Sequence, residues 1–186
     1  MFFQGKDAVH KSLRRLVKHL EKANIPYAVM GGMAVYAHGH RRPTGDLDIL
    51  LTAEGFTRFK EQFVPKKYEM IPKRPRRFKD KTNDVSLDIL VTGLYPGSGK
   101  PGPIAFPDPK DVTETIDNIQ FVELVTLIQL KLAAGRYQDF ADVVNLIRAH
   151  ELDESFQEKL HSSVRRDYIE CLEEKRREDE YEAING

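Results

Sequence analysis

The amino-acid sequence predicts an α+β fold, on three observations. Short apolar runs at residues 27–30, 46–51 and 85–91 are bounded by glycine, proline or asparagine and read as strands. Residues 6–22 place Val9, Leu13, Leu16, Val17 and Leu20 at intervals of three and four, the pattern of an amphipathic helix. Beyond residue 121 the chain reads as helices alone.

The elements follow in order. Asn24 and Pro26 stop the first helix, and a strand covers 27–30. Gly31 and Gly32 open a second helix through Ala34, Val35 and Ala37, which Gly39 ends. Residues 41–45, RRPTG, form a loop before a strand that carries Asp46 and Asp48 among Leu47, Ile49, Leu50 and Leu51. Residues 53–63 predict a helix with Phe56, Phe59 and Phe63 on one side. A strand, a turn containing Pro72 and Pro75, and a strand around 76–78 come next. Residues 85–91, VSLDILV, predict a buried strand interrupted by one carboxylate, Asp88. Residues 93–109 are too rich in proline and glycine for a helix or a central strand, and are expected to wrap over the sheet. A short strand or hairpin at 112–121 leads into helices expected at 122–134, 137–149 and 153–180. The expected organisation is a core over 1–121 with a helical segment, 122–186, packed on it.

Composition narrows the function classes. At 186 residues, 40% apolar and 31% charged, the chain has the make-up of a globular protein of about one domain. No apolar run approaches the roughly 20 residues needed to cross a bilayer. The N-terminal residues MFFQGKDAVHKSLRR lack the apolar centre of a signal peptide, so the expected location is cytoplasmic. A single cysteine, Cys171, excludes an internal disulfide framework and a cysteine-based zinc site, and reads as an ordinary helix residue. The formal net charge of zero gives no overall support for nucleic-acid binding, yet residues 66–81 hold eight Lys or Arg against Glu69 and Asp80. That stretch reads either as a solvated edge hairpin or as a contact for a polyanion. The mixed charges of residues 170–182 read as an exposed helix.

The chemistry concentrates in residues 30–50, MGGMAVYAHGHRRPTGDLDIL. Alternate side chains of a strand share a face, so Asp46 and Asp48 point the same way. Neighbouring carboxylates disfavour each other's ionisation unless a cation lies between them, and Mg2+ suits such a pair when substrate phosphates complete its shell. Glycine N–H groups at a helix start can cradle a phosphate. With Asp88 added, three carboxylates could hold two divalent ions, one serving the attacking oxygen and the other the leaving phosphate, while Asp88 helps to deprotonate an acceptor hydroxyl. Each residue also has a plain structural reading: solvated acids at a strand end, a salt bridge at Asp88, a capped strand at the glycines, a turn at Arg42 and Thr44, and a snorkelling Lys131. His38 and His40 flank Gly39 but have no partner at metal-ligand spacing.

The combination Gly31-Gly32, Asp46-Leu47-Asp48 and Leu87-Asp88-Ile89 resembles the nucleotidyltransferases of the DNA polymerase β superfamily, whose signature is G-[GS], D-x-D and a third Asp or Glu. Residues 42–48, RPTGDLD, look most like the bacterial minimal and AbiEii-toxin-like members. Lys131, Arg136, Asp139 and Asp142 are similar to the K-x4-R-x2-D-x2-D helical motif of that group. The resemblance spans about residues 25–148. It implies a mixed β-sheet core flanked by helices, dependence on Mg2+, two ions being expected, and transfer of NMP from an NTP to an acceptor hydroxyl. The acceptor would be an RNA or tRNA end, a protein or a small hydroxylated molecule, and the enzyme could belong to a toxin-antitoxin pair. By position, Asp46, Asp48 and Asp88 would be catalytic and hold metal. Gly31, Gly32, Arg42, Thr44 and Lys131 would contact the nucleotide, and Asp139 and Asp142 would orient Lys131 or Arg136. The alternative is a non-catalytic nucleotide- or nucleic-acid-binding module that keeps the fold. The basic stretch before Asp88 and the proline-rich loop after it match no pattern of the family.

Overall fold

A computed structural model describes residues 7–185. The expected start of the first helix at residue 6 lies outside these. Helix α1 (Ala8–Lys22) is capped by Asp7, whose carboxylate accepts from the His10 N–H, and it buries Leu13, Leu16, Val17 and Leu20. After strand β1 (Tyr27–Val29) the chain enters α2 (Gly31–Ala37) directly at the glycine pair. Strand β2 (Asp46–Leu51) follows, then α3 (Ala53–Phe63), where the Thr52 hydroxyl caps the Gly55 N–H at 3.0 Å. Strands β3 (Tyr68–Met70), β4 (Arg77–Asp80) and β5 (Ser86–Val91) form a meander. The hairpin β6 (Thr113–Ile116) and β7 (Ile119–Val122) precedes α4 (Leu124–Ala134) and α5 (Tyr137–Ala149).

The strands make one mixed seven-stranded sheet in the order β3-β4-β5-β2-β1-β7-β6. Strands β2 and β5 are parallel, as are β1 and β7, while the remaining pairs are antiparallel. This is the α+β architecture with a mixed sheet and flanking helices that the sequence predicts. Strand β5 alternates half-buried with buried residues, so Leu87, Ile89 and Val91 face the core and Asp88 faces the other way. Strand β4 is pinned to α1 from inside: the Ser12 hydroxyl donates to Asp80 at 2.6 Å and Arg15 reaches the same buried carboxylate at 3.2 Å.

Residues 93–108 hold no regular element, and the connection, which ends in a 3-10 turn at Pro109–Asp111, is closed at its base. Gly93 N–H donates to the Phe106 carbonyl and Phe106 N–H to the Leu94 carbonyl, each at 2.8 Å, while Ile104 and Phe106 are buried. The single helix expected at 153–180 is broken. Two 3-10 turns, Glu154–Lys159 and Ser162–Val164, precede α6 (Arg165–Asn185). Phe156, Leu160 and Val164 keep helical spacing and are buried, but Leu160 is extended, and the His161 N–H leaves the helical pattern to donate to Gln129 Oε1 at 2.7 Å. A side-chain partner for one backbone N–H competes with the helix there. Among the described residues no helix is long and apolar enough to cross a membrane.

Candidate functional site

The three aspartates meet at one end of the sheet. Strands β2 and β5 pair in register with Asp48 beside Asp88, and Asp46 lies two residues earlier on β2, so all three share a face. Gly31, which opens α2, comes against the same corner. Its φ is +57°, and a Cβ built on it would lie 1.9 Å from Asp48 Oδ2, so only glycine fits. Met30 N–H donates to the Asp48 carbonyl at 2.8 Å and ties the turn to the strand. A Cβ on Gly32 would likewise meet Thr44 Oγ1 at 2.4 Å. The close approaches seen at the glycine pair are thus to Asp48 and Thr44 of the chain itself.

Burial, followed by repulsion from Asp46 and Asp88, pushes the Asp48 carboxyl up to about 7, against weaker pulls from Lys131 and Arg136. Burial also raises Asp88, where Arg77 opposes the shift. A cation would relieve this repulsion, and an all-carboxylate donor set suits a hard divalent ion. Among the described residues no three His, Cys, Asp or Glu side chains are gathered as a ready-made metal group. Mg2+ fits such an open set because it is usually held by one or two carboxylates together with substrate phosphates.

Asp48, Asp88 and Gly31 line a cavity of about 530 Å³. Arg74, Arg77, Lys131 and Arg136 also line it and bring positive charge to its walls. Leu94, Phe106 and Leu130 supply an apolar part. The proline-rich loop reaches this wall and packs so closely on the end of α4 that a Cβ on Gly97 would stand 2.7 Å from the Ala134 carbonyl oxygen.

The helical motif forms an ionic cluster in which Lys131, Asp139 and Asp142 are buried and Arg136 is exposed. Lys131 Nζ donates to Asp142 at 2.6 Å and to Asp139 at 3.2 Å, and Arg136 Nε donates to Asp139 at 2.7 Å. Arg42 forks onto the fully buried Asp142 through Nε at 2.6 Å and Nη2 at 2.9 Å. Burial alone would raise Asp142, but Arg42 and Lys131 hold it below the usual carboxylate range. Lys131 therefore lines the cavity with two of its three N–H donors already engaged. Arg42 and Thr44 do not line it. His38 lies elsewhere, with Nε2 donating to the Val122 carbonyl at 2.8 Å.

Sequence reasoning missed Arg77. It stands directly opposite Asp88 in the β4–β5 pair, with its guanidinium 3.6 Å from Asp88 and 4.0 Å from Asp46. A hairpin turning at Thr82-Asn83 puts these two residues opposite each other, so the register was available in principle.

No protein-family model matches the chain, and no curated protein does. Solved structures do. ANT(2")-Ia, solved in complex with adenylyl-2"-tobramycin, superposes with a TM-score of 0.55 at 12% identity over 87% of this chain and 97% of that one. An antigenic nucleotidyltransferase-like protein from Paracoccidioides brasiliensis gives a TM-score of 0.52 at 16% identity, over 90% of this chain and 88% of the other. The chain has the nucleotidyltransferase fold. Within the nucleotidyltransferase fold found here, the carboxylates occupy one end of the parallel β2–β5 pair and the cationic cavity opens beside them.

Proposed function

We propose that the chain is a Mg2+-dependent nucleotidyltransferase that moves NMP from an NTP to an acceptor hydroxyl. The observation that carries this reading is the in-register pairing of Asp48 with Asp88, next to Asp46 and against Gly31. In the reaction the acceptor oxygen bonds to the α-phosphorus, the bond from that phosphorus to the bridging oxygen breaks, and pyrophosphate leaves. Asp46, Asp48 and Asp88 are the residues that would hold Mg2+, which when bound supplies charge neutralisation for the triphosphate and eases loss of the hydroxyl proton. Asp88, half-buried and facing the cavity, is the base that takes the proton. Lys131 and Arg136 are fixed by Asp139 and Asp142 on the wall that the negatively charged triphosphate would meet. The acceptor is a hydroxyl of an RNA end, a protein or a small molecule.

The test incubates the chain with labelled ATP, CTP, GTP and UTP in Mg2+, against RNA, cell lysate and aminoglycosides. The wild type is expected to label one acceptor class, and Asp48→Asn to lose at least about 100-fold of that rate while staying folded. Absence of Mg–NTP binding by calorimetry in the wild type would sink the reading.

A further inference from the structure

The cations around the cavity are of two kinds. Lys131 and Arg136 are committed, with contacts of 2.6 and 2.7 Å to Asp142 and Asp139. Arg77 is not: at 3.6 Å from Asp88 and 4.0 Å from Asp46 it forms loose ion pairs with carboxylates that are themselves 30% and 45% exposed. Charge-assisted hydrogen bonds lie at about 2.7–2.9 Å, so this guanidinium is attracted to both acids and bonded to neither. Its backbone, in contrast, is fixed. Arg77 N–H donates to the Arg74 carbonyl at 3.0 Å, and the Arg77 carbonyl accepts from Ile71 at 2.9 Å. Asp80, three residues on, is clamped to α1. A rigid strand thus presents a loosely held planar cation to the carboxylate corner.

We propose that Arg77 is a displaceable counter-cation of the site. It screens Asp46 and Asp88 from each other, and it turns onto the triphosphate when a divalent ion takes the carboxylates. The inference rests on the nucleotidyl-transfer reading. Arg77 and a divalent ion compete for the same oxygens. Once outcompeted, the guanidinium keeps its charge, because it does not deprotonate, and its fork geometry matches phosphate oxygens. Arg74 and Arg76 line the same cavity from the same turn, so Arg77 moves within an already cationic wall.

Calorimetry on the full-length wild type, Arg77→Ala and Arg77→Gln tests this, with MnCl2 alone and then with ATP, CTP, GTP and UTP in MnCl2. Removing the competing cation is expected to tighten Mn2+ binding about threefold without nucleotide, the scale of a partly exposed ion pair. The same change is expected to weaken the preferred nucleotide about tenfold, as loss of a charged phosphate contact does. Opposite signs distinguish this role from a structural one, which moves both affinities together or neither. Should Arg77→Ala fail to fold, Arg77→Gln carries the same two measurements. Mn2+ affinity that stays level or falls overturns the proposal, as does unchanged nucleotide affinity. A wild type that binds Mn2+ and NTP beside unchanged variants overturns Arg77 alone, whereas a wild type that binds neither overturns the nucleotidyl-transfer reading as well.

Discussion

Asp48 shows at the residue scale how the site opposes the fold. Its carboxyl sits at about 7 in the folded chain against 3.8 for the free side chain. A folded state that holds a proton more tightly than the unfolded chain loses stability as pH rises between these two values and levels off above the higher one. In EDTA, Asp48→Asn is expected to be more stable than wild type by about 4 kcal/mol at pH 8, and nearly equal to it at pH 4. Urea denaturation at both pH values checks this, and an advantage independent of pH would refute the electrostatic cause. Gly31 answers the same side chain sterically. Its left-handed φ and the 1.9 Å separation from Asp48 Oδ2 lead us to expect Gly31→Ala to destabilise by about 2–4 kcal/mol. Adding Asp48→Gly should remove the clash and leave a residual of about 1 kcal/mol from the backbone alone. A double mutant no better than Gly31→Ala would place the strain elsewhere.

Elements fix the charges that residues alone leave free. Helix α5 delivers Asp142 between Lys131 of α4 and Arg42 of the loop before β2, and all three bonds to those cations are short. Asp142→Ala leaves Arg42 without a carboxylate and Lys131 with only its 3.2 Å bond to Asp139, and is expected to lose about 3–5 kcal/mol, read from the urea midpoint. Arg136→Ala removes a 73% exposed partner of Asp139 and should change stability by under about 1 kcal/mol. Equal losses would mean that burial does not decide the strength of this cluster. These elements also show what sequence patterns can carry. Alternation along one strand makes the shared face of Asp46 and Asp48 legible, and spacing by three and four does the same for α1. The pairing of Asp48 with Asp88 joins strands some 40 residues apart, which no local pattern encodes. Arg77 opposite Asp88 was within reach, because closing the hairpin at Thr82-Asn83 sets the register. The break at Leu160 was not, because it depends on Gln129 arriving from another helix.

At the scale of the molecule, the cavity depends on residues far from it in the chain. Helix α6 packs on α5 and buries Tyr168, Cys171 and Leu172, and α5 in turn carries Asp139 and Asp142, which hold Lys131 at the cavity wall. Burial pushes the Cys171 thiol up to about 12, which leaves packing as its contribution. The Tyr168 hydroxyl closes the end of this layer by donating to the Asp153 carbonyl at 2.8 Å. Further along α6, Arg148 of α5 reaches Glu178 at 2.7 Å and Asp179 at 3.3 Å, and residues 181–185 are exposed. Two truncations separate the parts. Ending the chain after Glu180 keeps every one of these contacts and is expected to leave stability within about 0.5 kcal/mol and nucleotide affinity unchanged. Ending it after Val164 removes three buried side chains, each worth about 1.5–3 kcal/mol, a large share of the 5–15 kcal/mol that holds a domain together. That shorter chain should lose cooperative unfolding and NTP binding together. Retained NTP binding would show that α4 holds Lys131 without support from the helices behind it.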